Sequence, residues 1–226
     1  MNMIVTQNVS RCFRSLAGEF YALRNINVEM PEGKLTILRG RSGSGKTTLV
    51  NIISALDMPT DGTVLFNGRD ITKMSEAERT KIRRNEIGYV FQSVALIPMM
   101  SAYENVEFAL RMAKYEGDYK ERVMECLHLV GLSQRAEHLP EELSGGEQQR
   151  IAIARAIAHH PKVIFADEPT AALDTASGLS VVKIFKDLVE KEGVTVIMTT
   201  HDVGLMQLGD KVYELEGGEL VSESDH

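Results

Sequence analysis

Apolar positions along the chain change rhythm three times. Ile26, Val28 and Met30 alternate with polar residues, the period of a half-buried strand, and Pro31-Glu32-Gly33 supplies a turn after them. Leu35 to Leu38 is an apolar run ending in a glycine-rich loop, and Lys46 to Leu56 follows with a helical pattern. Thr63–Phe66 reads as a further strand closed by the hairpin dipeptide Asn67-Gly68. From Ser75 the period becomes helical. Ser75-x-x-Glu78, Ser101-x-x-Glu104 and Ser144-x-x-Glu147 each have the capping-box form, in which serine and acid satisfy orphan amides reciprocally. Two helical patterns lie between Ser101 and about Gly131, separated by Glu116-Gly117-Asp118. Val163–Ala166 and Thr195–Thr199 are short β-rich runs of the kind buried in parallel sheets, with a helix-length segment between them. Strands, helical insert, strands: the order predicts an α/β core interrupted by a helical lobe between roughly Gln92 and Ser144.

Composition narrows the classes. At 226 residues, 43% hydrophobic and 25% charged, the chain suits one large α/β domain with an inserted lobe. Lys and Arg number 25 against 32 Asp and Glu, a net charge of −7 that argues against a general grip on nucleic acid, so none is expected as partner. The longest uncharged stretch, Ile87 to Tyr103, is 17 residues and holds Gln92, Ser93, Pro98 and Ser101, too short and polar for a bilayer span. The N-terminus lacks a basic region followed by an apolar run, so no signal peptide is expected. Cys12 and Cys126 cannot build a disulfide scaffold and read as reduced thiols. A soluble, cytosolic protein is the expectation.

Candidate chemistry begins with Gly40-Arg41-Ser42-Gly43-Ser44-Gly45-Lys46-Thr47, a G-x-x-x-x-G-K-[ST] loop between a strand and a helix. Glycines let successive N–H groups converge on phosphate oxygens, Lys46 reaches the β- and γ-phosphates, and the Thr47 hydroxyl can ligate Mg²⁺. Thr48 is grouped with the same nucleotide-binding set. A metal-side carboxylate is expected at a strand end, and Asp167 sits there after Val163–Ala166. Glu168 follows it and points elsewhere, so one acid can hold Mg²⁺ while the other faces the water that attacks the γ-phosphate. Ser144, Gly145 and Gly146 open a second helix, another place where free amides and a hydroxyl could hold phosphate, although a simple capped helix gives the same string.

GRSGSGKT, LSGGEQQR, VIFADEPT, Ala172-Leu173-Asp174 and His201 after a buried strand, in that order, resemble the ATP-binding subunit of an ABC transporter over nearly the whole chain. The resemblance implies a P-loop NTPase (RecA-like) core with an antiparallel β subdomain and an inserted α-helical subdomain. Residues 1–226 would form a single ABC ATPase domain, with about 1–92 and 160–226 as core and about 93–159 as the lobe carrying the signature motif. It implies ATP and Mg²⁺ as cofactors, and a head-to-tail dimer in which Ser144 and Gly146 of one copy touch the γ-phosphate held by Lys46 of the other. Glu168, His201 and Gln92 would be catalytic: Gln92 senses Mg²⁺ and the attacking water, and His201 contacts the γ-phosphate. Asp174 would relay between subunits. Phe13 stands where the family places an adenine-stacking aromatic, with Tyr21 as the rival. Ala171 replaces a commoner glycine or serine and Phe13 a commoner tyrosine; neither removes a ligand.

IRRNEIGYVFQ followed by LIPMMSAYENV resembles the branch of macrolide exporters, lipoprotein-release systems and the cell-division ATPase. That implies a separate integral-membrane permease as partner and a place on the cytoplasmic face of the cell membrane. A soluble ABC ATPase of translation or repair is disfavoured by the single phosphate loop and the lack of heptads or a Cys cluster. An importer ATPase is disfavoured by the short stretch after His201. Leu96–Met100 and the segment through Val106 are expected either to line a groove for a permease helix or to pack the lobe's own core. Arg79, Lys81, Arg83 and Arg84 form a local basic cluster, His159-His160 reads as a loop, and the Ser222–His226 tail as frayed.

Overall fold

The computed structural model describes residues 1–15 and 18–225. In chain order the elements are β1 (Asn2–Ser15), β2 (Gly18–Ile26), β3 (Glu29–Pro31), β4 (Leu35–Arg39), α1 (Lys46–Ile53), β5 (Asp61–Phe66), β6 (Arg69–Asp70), α2 (Glu76–Glu86) and β7 (Ile87–Val90). The helical insert follows as α3 (Ala102–Ala113), α4 (Tyr119–Leu129) and α5 (Gly145–Ile157). The chain then returns through β8 (Val163–Ala166), α6 (Thr175–Glu192), β9 (Thr195–Thr200), β10 (Lys211–Glu216) and β11 (Glu219–Asp225).

Two sheets result. A six-stranded sheet runs β11-β10-β4-β9-β8-β7, parallel except at β11. An antiparallel sheet runs β2-β1-β5-β6, with β3 also pairing β1. This is the expected P-loop architecture with its antiparallel β subdomain and helical insert. Along β8, Val163 and Phe165 face one core while Ile164 and Ala166 face the other, so all four are buried and the strand reads as an unbroken apolar run. One core joins Ile164, Ala166, Val196 and Met198 to α3, α4, α5 and α6; the other joins Phe165 and Ile197 to α1 and the antiparallel sheet.

Local chemistry sets the boundaries. All three predicted capping boxes form, on α2, α3 and α5. Asn67 (φ 45°) and Gly68 (φ 74°) close the β5–β6 hairpin with the two positive dihedrals of a type I′ turn. The strand expected over Ile26–Met30 is broken between β2 and β3, where the Asn27 amide donates to the Asn25 carbonyl and its oxygen accepts from the Asn8 N–H. The helix expected to Leu56 stops at Ile53, since Ala55 turns to φ 61° and Leu56 N–H bonds back to Asn51. Ser222–Asp225 is strand rather than frayed tail: it pairs with β10, and Lys211 reaches Glu223 at 2.6 Å; His226 lies outside the described residues. Half of the basic cluster is engaged within the fold by ion pairs. Arg79 and Arg83 both bind Glu76, and Arg83 donates to the Ala55 carbonyl at 2.6 Å, bracing α2 against the loop after α1. Among the described residues no helix is long and apolar enough to cross a membrane.

Candidate active site

The loop joining β4 to α1 places Lys46 beneath a bend that only glycine tolerates. Gly45 has φ 104°, and a Cβ there would stand 2.7 Å from the Ala22 carbonyl oxygen and 2.8 Å from Leu23 Cδ2. No side chain caps the N-terminus of α1, which leaves its first amides for an anion. The Lys46 side chain is 4% exposed, and Nζ donates to the carbonyls of Gly40 (2.8 Å) and Arg41 (3.2 Å) while pairing with Glu168 Oε1 at 3.4 Å. Ser44 Oγ, buried in the same loop, has no hydrogen-bond partner among the described residues. A buried ammonium and an orphaned buried hydroxyl are the complement of a phosphate chain.

β8 delivers both acids. Asp167 Oδ1 accepts from Thr199 Oγ1 at 2.7 Å and from Thr47 Oγ1 at 3.3 Å. The Glu168 N–H donates to the same Thr199 hydroxyl at 2.8 Å, and Glu168 Oε2 lies 3.3 Å from His201 Nδ1. Glu168 sits at φ 44°, a conformation an L side chain adopts only when its surroundings hold it, at a cost of about 1–3 kcal/mol. Thr199 is the residue that sequence reasoning missed. Ala166 pairs with Met198 across β8 and β9, so Asp167, one residue past β8, stands beside Thr199 of β9, a register absent from either segment read alone. Burial and, secondarily, the Asp167 charge push the Tyr89 phenol well above its usual range.

Phe13, Phe20, Ser42, Gly43, Gly45, Lys46, Thr47, Thr48, Gln92, Glu168 and His201 line one cleft of about 530 Å³, and Asp167 and Thr199 stand behind that lining, Asp167 reaching it through the Thr47 hydroxyl. Gly40 and Ser44 line the adjoining space with Arg39 and Glu214. Gln92 follows a Tyr89–Phe91 stack with centroids 4.3 Å apart, which steadies the exit of β7. Phe13 lines the cleft and Tyr21 does not: Tyr21 pairs with Cys12 and takes the Arg24 guanidinium on its ring at 5.4 Å. Phe20, cross-strand partner of Phe13, is the second ring in the cleft. It escaped notice because the signal is the β1–β2 register. Of the residues the sequence assigns to Mg²⁺, Thr47 and Gln92 line the cleft and Asp167 accepts from the Thr47 hydroxyl at 3.3 Å; hydroxyl, carboxylate and amide oxygens are donors that a hard cation such as Mg²⁺ takes alongside waters and phosphate oxygens. Among the described residues no three His, Cys, Asp or Glu side chains form a metal-holding group.

Ser144, Gly145, Gly146 and Asp174 are absent from this cleft. Ser144 caps α5, with its hydroxyl and N–H both bonded to Glu147, and those two donors, joined by Arg135, hold the Glu147 carboxyl below its ordinary range. Asp174 caps α6 through the Ser177 N–H (3.0 Å), and the Gly146 backbone lies against Ser177. The N-termini of α5 and α6 thus share one face, where Ser144 and Gly145 are exposed. In the loop after Gln92 the two readings divide the residues. Val106 is fully buried, Leu96 packs on the lobe core, and Met99 is 89% exposed. Buried Asn105 laces the loop, donating to Ile97, Met100 and Ser101 carbonyls and accepting from the Ile97 N–H.

Comparison with known proteins agrees with this geometry. The ABC transporter family model matches residues 23–171. An uncharacterized ABC transporter ATP-binding protein of Methanocaldococcus jannaschii is 43% identical over 227 residues, 98% of this chain and 96% of that protein. The macrolide export ATP-binding/permease protein MacB of Syntrophobacter fumaroxidans is 39% identical over 99% of this chain, which spans 32% of that longer protein. A dimeric post-hydrolysis structure of an ATP-binding cassette bound to ADP and Pi superposes with a TM-score of 0.90 at 41% identity, covering 99% of this chain and 98% of the other. The chain therefore belongs to the ABC transporter family, as an ATPase cassette of the ATP-binding type.

Proposed function

We propose that this chain binds and hydrolyses ATP with Mg²⁺ as a head-to-tail dimer, and so drives a separate membrane permease from the cytoplasmic face. The carrying observation is the Lys46–Glu168–His201 cluster with Thr199 bonding both acids' positions. In this reading Lys46 exchanges its loop carbonyls for phosphate oxygens, and the α1 amides hold the phosphate chain. Thr47, Asp167 and Gln92 would hold Mg²⁺, which supplies neutralisation of the phosphate charge. Glu168, released from Lys46, accepts the proton of the attacking water through Oε1. His201 keeps the other carboxylate oxygen in place and faces the γ-phosphate. Phe13 and Phe20 receive the base.

The separation of the two anion sites supports the dimer. An exposed α5 N-terminus with Ser144 and two glycines has no partner phosphate in its own cleft, and a two-fold pairing of chains would supply one. Likeness to a cassette solved as a dimer supports that pairing. Likeness to MacB, a macrolide export protein that carries ATP-binding and permease parts in one chain, supports a membrane permease partner and work in export; extracytoplasmic mechanical work is the other form such coupling takes in this reading. Exposed Met99, Phe108 and Met112 on the lobe are the surface we assign to it.

Mixing variants tests the composite site. Lys46→Ala and Ser144→Arg should each be nearly inactive alone. Mixed in equal amounts they should recover about a quarter of wild-type ATPase, since half the dimers would carry one intact site of two. Full activity of Ser144→Arg alone would overturn the shared site.

A further inference from the structure

Arg11 lies two residues before Phe13 on β1, at a register shift in the pairing with β2. Its guanidinium carbon stands 4.6 Å from the Phe13 ring centroid, within cation–π range. One terminal nitrogen is fixed by Asp57, at 2.9 and 3.0 Å from the two carboxylate oxygens. Asp57 is itself held: its Oδ1 accepts from the Met58 N–H at 2.7 Å, and its own N–H donates to the Asn51 carbonyl of α1 at 2.9 Å. Next along the chain, Thr60 N–H donates to the Ser10 carbonyl at 2.8 Å and Thr60 Oγ1 accepts from the Cys12 N–H at 3.0 Å. The segment leaving α1 is thus laced to the part of β1 that carries Phe13.

We propose that Arg11, braced by Asp57, is a positioning residue for the nucleotide base: it covers one face of Phe13 and fixes the ring as a stacking platform for a purine on the other. The inference rests on reading the cleft as an ATP site and adds how its base end is built. Phe13 is 43% exposed, and a ring so placed can turn away from the cleft unless something holds it. Arg11 has Asp57 on one side and the ring on the other, with Nε buried and without a hydrogen-bond partner among the described residues, so the ring is the group that covers the rest of the cation. Electrostatic attraction of the cation to the ring's π-face costs the cleft nothing, because the guanidinium stays paired with Asp57. The same α1 that begins at the phosphate loop ends at the brace of the base platform. Base and phosphate sites are therefore held in one register.

Calorimetric titration of the full chain with MgATP and with magnesium tripolyphosphate separates base from phosphate binding; the chain has no tryptophan to report on either. Arg11→Met and Asp57→Asn should each weaken ATP about three- to fivefold and leave tripolyphosphate unchanged. KM for ATP should rise by the same factor with kcat retained, and Arg11→Lys, which keeps a cation over the ring, should restore most of the affinity. In a Phe13→Leu background Arg11→Met should add no further loss. Unaltered ATP affinity in Arg11→Met overturns the proposal, as does equal loss of ATP and tripolyphosphate, which would mark a displaced phosphate loop. A wild-type chain that binds ATP no better than tripolyphosphate overturns the platform itself, and one that binds neither refutes the ATP reading beneath it.

Discussion

Replacing Thr199 by valine removes one oxygen and keeps the shape, so it isolates what that hydroxyl does. The side chain is fully buried, and its Oγ1 serves two groups: it donates to Asp167 Oδ1 at 2.7 Å and accepts from the Glu168 N–H at 2.8 Å. In the variant the amide loses its hydrogen-bond acceptor, a cost of about 1–3 kcal/mol, and Asp167 loses one of its two hydroxyl donors. A loss of about 2–3 kcal/mol corresponds to a Tm lowered by roughly 4–10 °C for a domain of this size. The larger consequence is local. Glu168 holds φ 44° against an intrinsic cost of about 1–3 kcal/mol, and the lost bond is one of those that hold it there. Relaxation would move the carboxylate away from Lys46 and His201, and a misplacement near 1 Å costs on the order of a hundredfold in rate. Steady-state phosphate release at saturating ATP, alongside calorimetric ATP binding, measures this: kcat should fall about 10- to 100-fold with ATP affinity changed less than threefold. A Thr199→Val protein that hydrolyses at the wild-type rate would refute a role for this bond in positioning the Glu168 carboxylate, the proposed base.

Asn105→Ala should lower Tm by roughly 5–10 °C, because the half-buried carbonyls of Ile97 and Met100 and the buried one of Ser101 lose their shared donor; an unchanged melting curve would contradict the lacing. For Glu147, whose folded carboxyl is held low by the Ser144 N–H and hydroxyl, the contribution to stability is complete above its ordinary value of 4.5 and is lost as pH falls through the lowered folded value. The Tm gap between wild type and Glu147→Gln should therefore stay constant from pH 7 to roughly 5 and close below 4.5; a gap that persists into strong acid counts against it. Met99→Glu should leave ATP hydrolysis by the isolated chain intact and abolish its stimulation by a reconstituted permease, and undiminished stimulation would remove Met99 from the docking surface.

What the sequence made legible follows how local each signal is. Gly40–Thr47 and the β8 acids are contiguous strings whose chemistry needs no partner segment, so loop and carboxylates were readable directly. The capping boxes were readable for the same reason, each being four residues long. Thr199 and Phe20 join the site through strand register across β8–β9 and β1–β2, and Asp57 meets Arg11 from 46 residues away, so none announces itself in its own neighbourhood. Tyr21 against Phe13 was undecidable from composition, since alternate faces of a hairpin depend on where its turn falls. The 222–225 strand carries no strand signal of its own, because its residues are polar on both faces. Its pairing depends on β10 and on Lys211, which gathers Glu223 and Asp225.

In the proposed mechanism Glu168 takes the proton from the water that attacks ATP, and the ATP is sandwiched between two copies of this chain. Glu168→Gln keeps the side chain's size and its backbone bond to Thr199 while removing the base. Its mass in solution, measured by light scattering with and without MgATP, tests both halves at once. The account predicts a 25.1 kDa monomer without nucleotide and a stable species of twice that mass with ATP, holding unhydrolysed nucleotide. A variant that stays monomeric while saturated with ATP, or that releases phosphate at the wild-type rate, would contradict it.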